Sequence, residues 1–587
     1  MSYAALWKEH LRPQWPKALL LAAALLAGAL LQLVAPQIVR RFIDDATAGA
    51  GLDRLIRLAL LFLAAAVAKQ GLGALSAYLS ADVGWRATNS LRATLFGHAL
   101  GLDMRFHKDR TPGALIERID GDVTHLANFL SQFAAKVTVS LLLVVGILVL
   151  LWIEDWRVGA ALTGYVVIVV LVLLERREAA VPATQVQREA NGRVFGFIEE
   201  RLTGIEDIRA NGAGAHVMKR LGEIQRDWYR VSRRAWNLQV SVYAVMLALS
   251  SAGQVGVLAL GIWLYFRGAL TLGGVYLLFN YMAMLEDPLD EISQQMQDFQ
   301  RAGAGARRAR ELLATKPAVA DGSAAPLAER AHEVRFENVS FAYADQPVLK
   351  GVSFTLAAGE TLGLLGRTGS GKTTLVRLLC RLYDPTEGRI LLDGIDTRIM
   401  KLSHVQARVG LVTQDVQLFS GTIRDNLTFF DPAIPDERLL EAFRALGVLD
   451  WIQSLPEGLD TRLGANGAGL SAGEGQLLAF ARLFLQDPGV VIMDEPSSRL
   501  DPATERRLTR ATQKLLQGRT GIVIAHRLET VRKLDKIMVL SGGQIAEFGP
   551  QEALASDPGS LYHAMLALSS GGGLDEPLDA SLERLGV

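Results

Sequence analysis

The stretch Gly366-Arg367-Thr368-Gly369-Ser370-Gly371-Lys372-Thr373 decides how the second half of the chain folds. An apolar run at 361–365 precedes this loop, and an apolar helical pattern at 375–379 follows it. In a G-x-x-x-x-G-K-T loop between a strand and a helix, successive backbone N–H groups point inward. Together with the helix N-terminus they form a concave site for a polyphosphate. A glycine-rich turn that binds nothing is the alternative that the pattern alone leaves open.

Two side chains of this loop have chemical roles in such a site. Lys372 would reach the β- and γ-phosphates of a nucleotide, and the Thr373 hydroxyl would hold Mg²⁺. We therefore expect the loop from Gly366 to Thr373, together with the adjacent Thr374, to bind ATP with Mg²⁺.

Length and composition limit the classes of protein that the chain can belong to. With 587 residues it is too long for one hydrophobic core, so two or more domains are expected. Lys plus Arg and Asp plus Glu are balanced at 61 each, so the net charge indicates neither nucleic acid nor an acidic partner. Cys380 is the single cysteine, which excludes an intramolecular disulfide and a cysteine-based metal site. Its helical spacing favours apolar packing.

The first half contains stretches that are long and apolar enough to cross a membrane. Six are expected, at 18–36, 55–79, 137–153, 158–174, 240–266 and 272–289. The long connections at 82–122 and 175–238 are rich in Arg and Lys, whereas acids occupy the short connectors around Asp44 and Glu154. The positive-inside bias therefore predicts that both termini are cytoplasmic. Buried helices of a large soluble protein are the alternative.

Charged residues within the apolar stretches need an explanation because they are costly in a bilayer. They are Lys69, Lys136, Glu286 and Asp287. Pro288 follows the acidic pair and would kink the sixth stretch. Glu286 or Asp287 could face a central cavity, or the pair could lie near the cytoplasmic end, solvated or paired.

The two long connections are predicted to be helical, since apolar residues recur at spacings of three and four. Pro and Gly interrupt the pattern within 106–113 and 201–208, where a short crossing helix with exposed charge would suit docking onto another domain. Plain solvated turns are the alternative. Residues 316–330 are rich in Ala, Pro, Gly and Ser, which is typical of a linker.

Further motifs of a nucleotide site follow at strand ends. The apolar run 490–493 leads into Asp494 and Glu495, where Asp494 would hold Mg²⁺, directly or through water, and Glu495 would polarise the attacking water. Gln414 and His526 each follow another apolar run. Tyr343 precedes the phosphate loop and could stack on adenine, although an isolated tyrosine is more often a core residue.

Taken together, these motifs resemble those of ATP-binding cassette (ABC) exporter half-transporters over residues 1–565. The resemblance implies an all-α six-helix transmembrane domain at 1–315 with coupling helices, and then a linker at 316–330. An α/β P-loop nucleotide-binding domain at 331–568 and a C-terminal tail at 569–587 complete the expected organisation. It also implies that Glu495, His526 and Gln414 act in catalysis, that Gln414 contributes to the Mg²⁺ site, and that Asp501 contacts nucleotide.

The signature motif departs from the family pattern. It reads Leu470-Ser471-Ala472-Gly473-Glu474 in place of LSGGQ, and the segment 464–467 lacks the glutamate that such exporters usually carry. Ser471 and Gly473 remain to meet the partner's γ-phosphate, but Ala472 adds a methyl group and Glu474 an anion. Like charges about 4 Å apart at a partly wet site repel by about 4 kcal/mol before screening. This predicts weakened closure if Glu474 faces the nucleotide, and hence a heterodimer whose partner has an intact signature. A homodimer that tolerates both changes is the alternative.

The resemblance implies ATP-driven export or flipping of an amphipathic or hydrophobic substrate by a multi-pass protein of the inner membrane. Its nucleotide-binding domain and both termini would be cytoplasmic. The expected partners are a second half-transporter subunit, the lipid bilayer and a small-molecule, lipid or peptide substrate, with no nucleic acid. An importer on the exporter fold and a homodimeric lipid flippase stay open. A non-transporting cassette ATPase acting on nucleic acid or ribosomes is a further alternative, against which the six spans argue.

Overall fold

A computed structural model of the chain describes residues 12–129, 134–464, 467–494, 502–525 and 528–572. The chain divides into two compact units. The first comprises residues up to 100 and 111–315, and the second comprises 101–110 and 316 onward. Among the described residues the first unit is helical, and the second combines helices with β-sheets.

The helices before the β-sheets include several of unusual length. They are α1 (Trp15–Thr47), α2 (Leu52–Leu100), α3 (Met104–Lys108), α4 (Pro112–Ile116), α5 (Asp122–Asn128), α6 (Ala134–Glu154), α7 (Trp156–Thr203), α8 (Ile205–Ala210), α9 (Gly214–Phe266), α10 (Leu272–Met284) and α11 (Glu286–Ala314). A 3-10 turn at Arg12–Gln14 precedes α1, and a π-helical segment at Glu117–Gly121 joins α4 to α5.

Five helices of the described chain are long and apolar enough to cross a membrane, namely α1, α2, α6, α7 and α9. Large apolar side chains on them, such as Leu61, Val67 and Leu171, are exposed in the isolated chain. Exposed apolar residues in this number are unfavourable in water and are expected on helices that face hydrocarbon or a second subunit.

The sixth predicted stretch does not form one continuous helix, in agreement with the kink expected from Pro288. Helix α10 ends at Met284, and α11 begins at Glu286. Pro288 has no N–H to donate to the Met284 carbonyl, which explains an interruption at Leu285. With 13 residues α10 is about 20 Å long, short of the ~30 Å hydrocarbon core.

Contacts between α1 and the α10 region hold part of the first unit together. The buried Tyr281 hydroxyl donates to the Leu33 carbonyl at 2.8 Å. Asp44 accepts hydrogen bonds from the Gly273 amide at 2.9 Å and the Thr271 hydroxyl at 3.0 Å. A β-carbon on Gly273 would lie 2.4 Å from the Arg40 carbonyl oxygen, so the two helices approach too closely there for any other residue.

The charged residues of the apolar stretches fall into two groups. Glu286 is half-buried and accepts hydrogen bonds from Gln254 at 2.6 Å and from the Ser250 hydroxyl, and Lys136 forms an ion pair with Glu291 at 2.9 Å. Lys69 and Asp287 are exposed. The ion pair therefore compensates the charge of Lys136, and neutral hydrogen-bond donors compensate that of Glu286.

The described residues of the second unit form three sheets. Their strands are β1 (Val334–Tyr343), β2 (Gln346–Leu356), β3 (Thr361–Leu365), β4 (Glu387–Leu392), β5 (Ile395–Asp396), β6 (Val409–Val412), β7 (Gly421–Thr422), β8 (Arg462–Leu463), β9 (Val490–Asp494), β10 (Thr520–Ile524), β11 (Lys536–Ser541) and β12 (Gln544–Pro550). The sheet orders are β2-β1-β4-β5, β12-β11-β3-β10-β9-β6 and β7-β8. In the six-stranded sheet, neighbours from β11 to β6 are parallel, and β12 is antiparallel to β11.

Helices flank these strands. They are α12 (Lys372–Leu379), α13 (Leu402–Arg408), α14 (Ile423–Thr428), α15 (Asp436–Leu446), α16 (Leu449–Ser454), α17 (Ala472–Gln486), α18 (Pro502–Leu516), α19 (Leu528–Val531), α20 (Gln551–Ser556) and α21 (Leu561–Gly572). One core lies around β1, β3 and α12, and a second packs helices α14 to α18 together. Cys380 is buried in the first core, where burial raises the pKa of its thiol to about 12. The expected apolar role of this cysteine is confirmed.

The segment predicted to be a linker is bonded to the second unit. The Gly322 and Ser323 amides donate to the Met400 and Ile399 carbonyls at 3.1 and 2.9 Å. The Ala320 carbonyl accepts from the guanidinium of Arg381, which is only 2% exposed. Residues 316–330 therefore belong to the second unit despite their flexible composition.

Candidate nucleotide-binding site

The phosphate loop connects β3 to α12 as its sequence predicts. Leu365 ends β3 and is fully buried, and Lys372 begins α12. The Lys372 ammonium donates to the Gly366 carbonyl at 2.5 Å and to the Arg367 carbonyl at 3.0 Å. This side chain is only 6% exposed, so the loop encloses a positive charge where a polyphosphate would bind.

Two glycines of the loop are required by both conformation and space. Gly366 has φ 149° and Gly371 has φ 109°, values that side chains rarely adopt. A β-carbon on Gly366 would lie 2.3 Å from the Leu540 carbonyl oxygen, and one on Gly371 would lie 2.7 Å from Leu349 Cδ2. Any other residue at either position would therefore distort the loop.

The residues present fit a nucleotide phosphate chain. The Ser370 hydroxyl is buried and has no hydrogen-bond partner within the described residues. A buried hydroxyl without a partner is costly, and a phosphate oxygen would satisfy it. Arg367, Thr368 and Thr373 are exposed residues of the loop itself and are accessible to such a ligand.

The ends of parallel strands bring the remaining described candidates to the same sheet edge. Ile524 of β10 lies opposite Leu364 of β3 on one side and Asp494 of β9 on the other. Val412 of β6 lies opposite Met493, so Gln414 follows β6 at the same edge. The structure thus places the phosphate loop, half-buried Asp494 and exposed Gln414 where a ligand crevice is expected in an open α/β sheet.

A complete protein-built metal cage is absent from the described residues, in which no cluster of three His, Cys, Asp or Glu side chains occurs. This is compatible with Mg²⁺, which usually keeps several waters and binds through one or two protein groups plus substrate phosphates. Thr373, Asp494 and Gln414 offer oxygen ligands of the kind that Mg²⁺ prefers. Glu495, Asp501 and His526 lie outside the described residues.

Tyr343 lies beside the start of α12, at the end of β1. Its hydroxyl accepts hydrogen bonds from Thr374 and Arg377, both at 3.4 Å. The rings of Phe341 and Tyr383 stand perpendicular to its ring, with centroids 4.9 and 5.3 Å away. Tyr343 is half-buried, so it borders the core and still offers part of its ring for stacking near the phosphate loop.

The signature segment begins helix α17, and Glu474 points back toward its own helix. Ser471 is the N-cap residue, and its amide and hydroxyl donate to Glu474 at 2.8 Å each. The Trp451 indole N–H donates to the other carboxylate oxygen at 2.9 Å. Ala472 is the first residue of α17, and Gly473 is buried in its first turn.

These contacts also set the charge state of Glu474. Burial alone would raise the pKa of its carboxyl group, but the hydrogen bonds from Ser471 and Trp451 outweigh burial and lower it. The ionised carboxylate is compensated by the helix N-terminus that it caps. The Glu474 carboxylate is therefore bonded to the start of its own helix, beside the Ser471 hydroxyl that a partner's nucleotide would use.

Arg482 of α17 has a structural role that the sequence motifs do not indicate. Its guanidinium donates to the Asn426 carbonyl at 2.7 Å, to Asn426 Oδ1 at 2.9 Å and to the Gln417 carbonyl at 3.0 Å. Burial lowers its pKa to about 10. It therefore fastens the chain after Gln414 to the signature helix. An arginine inside the apolar pattern 477–485 is the signal that could have identified it.

Comparison with known proteins agrees with this arrangement. Residues 18–289 match the family model of the ABC transporter transmembrane region, and residues 349–498 match the ABC transporter model. The chain is 32% identical over 563 residues to the ATP-dependent lipid A-core flippase of Chromohalobacter salexigens, covering 94% of this chain and 95% of that protein. A multidrug efflux ATP-binding/permease protein of Mycobacterium bovis is 31% identical over 529 residues, covering 90% of this chain and 44% of that protein.

A solved structure also resembles the chain along nearly its whole length. A bacterial Atm1-family ABC exporter with ATP bound aligns with a TM-score of 0.80 and 27% identity. The alignment covers 96% of this chain and 99% of that one. The similarity therefore extends over both the helical unit and the sheet-containing unit.

Proposed function

Because the chain belongs to the ABC transporter family, in which ATP hydrolysis drives transport, we propose that it exports or flips an amphipathic or hydrophobic molecule across the inner membrane. One observation carries this proposal. The same polypeptide contains five apolar helices long enough to cross a membrane and a phosphate loop at the same sheet edge as Asp494. The relatives named as a lipid A-core flippase and a multidrug efflux protein support a lipid or drug-like substrate.

The proposed roles in hydrolysis follow the site geometry. Lys372, the loop amides and Ser370 bind the phosphates, and Tyr343 stacks on the base. Mg²⁺, when bound by Thr373, Asp494 and Gln414, neutralises charge on the β- and γ-phosphates. Glu495 orients the attacking water, and His526 assists at the same edge.

We further propose that two subunits complete each nucleotide site, with Ser471, Gly473 and Asp501 serving the nucleotide of the partner. A heterodimer is favoured because the Ser471 hydroxyl is already engaged by Glu474 and Ala472 adds bulk beside it. The broken sixth stretch, α10 followed by α11, would complete the membrane domain and return the chain to the cytoplasm.

The primary test measures ATP hydrolysis and transport by the purified chain, alone and with its proposed partner, in proteoliposomes. We expect ATPase activity that a panel of lipids and amphipathic drugs stimulates, and ATP-dependent movement of the stimulating compound. Lys372→Ala is the matched inactive control, because it removes the enclosed charge. Wild-type activity no greater than that of this control would contradict the proposal.

The heterodimer is tested separately by co-expression with the neighbouring gene product. We expect an untagged partner to co-purify with the tagged chain and to raise its ATPase activity. Full ATPase and transport activity from this chain alone would instead support a homodimer.

A further inference from the structure

Lys108 covers one face of the aromatic ring that the proposed function assigns to the nucleotide base. Its ammonium nitrogen lies 4.1 Å from the centroid of the Tyr343 ring. Lys108 ends helix α3, and both residues belong to the second unit. A cation over a tyrosine face is attracted by the ring quadrupole, so this contact is stabilising and has to be broken if the face is used otherwise.

The short helix that carries Lys108 is also fixed at its other end. Asp103 caps α3 by accepting from the Arg105 and Phe106 amides at 3.0 and 3.3 Å. The second oxygen of its carboxylate accepts from the Ala318 amide. The segment at 318 holds the N-terminal end of α3, and Lys108 joins its C-terminal end to the aromatic cluster.

A stacked base and the Lys108 ammonium cannot share the same ring face. Stacked aromatic rings have centroids about 4.5–7 Å apart, so a base on that face would occupy the volume in which the ammonium lies. The ring is also bordered by Phe341 and Tyr383, whose planes are perpendicular to it. Arg110 lies over the Phe106 ring at 4.2 Å, so the neighbouring cation is already engaged elsewhere.

We propose that Lys108 and the nucleotide base compete for the same face of Tyr343, so that base binding releases the C-terminal end of α3. The inference rests on the proposed role of Tyr343. It makes Lys108 a positioning residue that lowers affinity for adenine nucleotides and leaves affinity for the phosphate chain unchanged. Residues 101–110 are connected to the first unit at both ends. Release of α3 by a bound base would therefore affect residues outside the nucleotide site.

The test compares binding of ATP and of inorganic tripolyphosphate to the full chain, purified with its partner, in Mg²⁺-free buffer so that hydrolysis does not occur. Lys108→Ala is expected to tighten ATP binding by roughly 2–5-fold, which corresponds to loss of an exposed cation–π contact. Tripolyphosphate binding should not change. Lys108→Arg keeps a cation over the ring and should behave as the wild type.

A second readout follows the Lys108 amine directly. ATP should increase the rate at which an amine-reactive reagent modifies Lys108, whereas tripolyphosphate should not, and the exposed Lys401 serves as the reference amine. In a Tyr343→Ala background, Lys108→Ala should have no further effect on ATP affinity.

Unchanged or weaker ATP binding by Lys108→Ala, or protection of Lys108 by ATP, would overturn the inference. Protection would show that Lys108 contacts the nucleotide instead. If the wild type bound ATP no more tightly than tripolyphosphate, base stacking on Tyr343 would itself be disproved. That outcome is distinct from failure of the competition between Lys108 and the base.

Discussion

The carboxylate of Glu474 accepts hydrogen bonds from both the amide and the hydroxyl of Ser471, each at 2.8 Å. The serine that the family pattern assigns to a partner's nucleotide therefore caps its own helix in this chain. A nucleotide that used this hydroxyl would have to compete with a charge-assisted hydrogen bond.

Removal of this cap should destabilise helix α17. Glu474→Ala is expected to lower the free energy of unfolding of the second unit by about 1 kcal/mol. Glu474→Gln should lose less, because a glutamine at this position can still accept from Ser471. Denaturant unfolding of the purified protein measures the difference. Glu437→Ala, in the first turn of α15 but exposed, is the matched control, and an equal loss in both variants would contradict the prediction.

The contribution of Glu474 to stability should depend on pH. Its folded pKa is lowered from an ordinary value of 4.5, so its stabilisation is fully present above about pH 4.5. It is lost as the pH falls through the lower folded pKa, where the carboxylate becomes protonated. The Tm difference between wild type and Glu474→Ala should therefore be constant from pH 8 to about pH 5 and shrink below about pH 4.5. A difference that widened on acidification would show the wrong sign.

A methyl group at Gly366 should weaken nucleotide binding. Its β-carbon would lie 2.3 Å from the Leu540 carbonyl oxygen, so Gly366→Ala must displace the phosphate loop. We expect ATP affinity to fall by about tenfold or more, measured by calorimetry. Gly359→Ala is the matched control, since Gly359 also has a positive φ, 83°, but has open space around it. If Gly359→Ala lowered ATP affinity as much as Gly366→Ala, the positive φ alone, and not the contact with Leu540, would explain the loss.

Replacement of Arg482 should loosen the chain between β6 and α14. Lysine cannot reproduce the three hydrogen bonds to Gln417 and Asn426, so Arg482→Lys weakens the bonding of buried Asn426 at a cost of about 1–3 kcal/mol. The turnover number should fall as well, because Gln414 lies in the released segment. ATPase kinetics and denaturant unfolding measure both effects, with exposed Arg438→Lys as the control. If Arg482→Lys kept the stability and the turnover number of the wild type, a positioning role for Arg482 would be excluded.

The thiol of Cys380 should be unreactive in the folded protein. Burial raises its pKa to about 12, so almost no thiolate is present at pH 8. Maleimide labelling should be negligible until denaturant unfolds the second unit. As a control, Ala358→Cys in a Cys380→Ala background places a thiol in an exposed turn and should label at once. Rapid labelling of native Cys380 would show that the core around α12 opens readily.

Local chemistry explains which features could be predicted from the sequence. The phosphate loop follows from glycine positions and the adjoining apolar runs, and β9 and β10 end at the predicted places because buried parallel strands are apolar throughout. The spacing of Ser471 and Glu474 is that of a capping box, so the bond between them has a local signal, whereas the contact with Trp451 has none because Trp451 is on a separate helix. The contact of Lys108 with Tyr343 joins residues far apart in sequence, which no local pattern encodes.

The bonded segment that follows α11 has a mechanical consequence. A free Gly/Ser/Ala-rich tether absorbs displacement as an entropic spring, whereas this one is attached from Ala318 onward. The segment is accordingly held against the loop at Ile399 and Met400 within the second unit. Arg381, which binds Ala320, follows directly on the helix that starts at the phosphate loop. Displacement of the segment is thus opposed by a hydrogen bond to a residue next to the phosphate-loop helix.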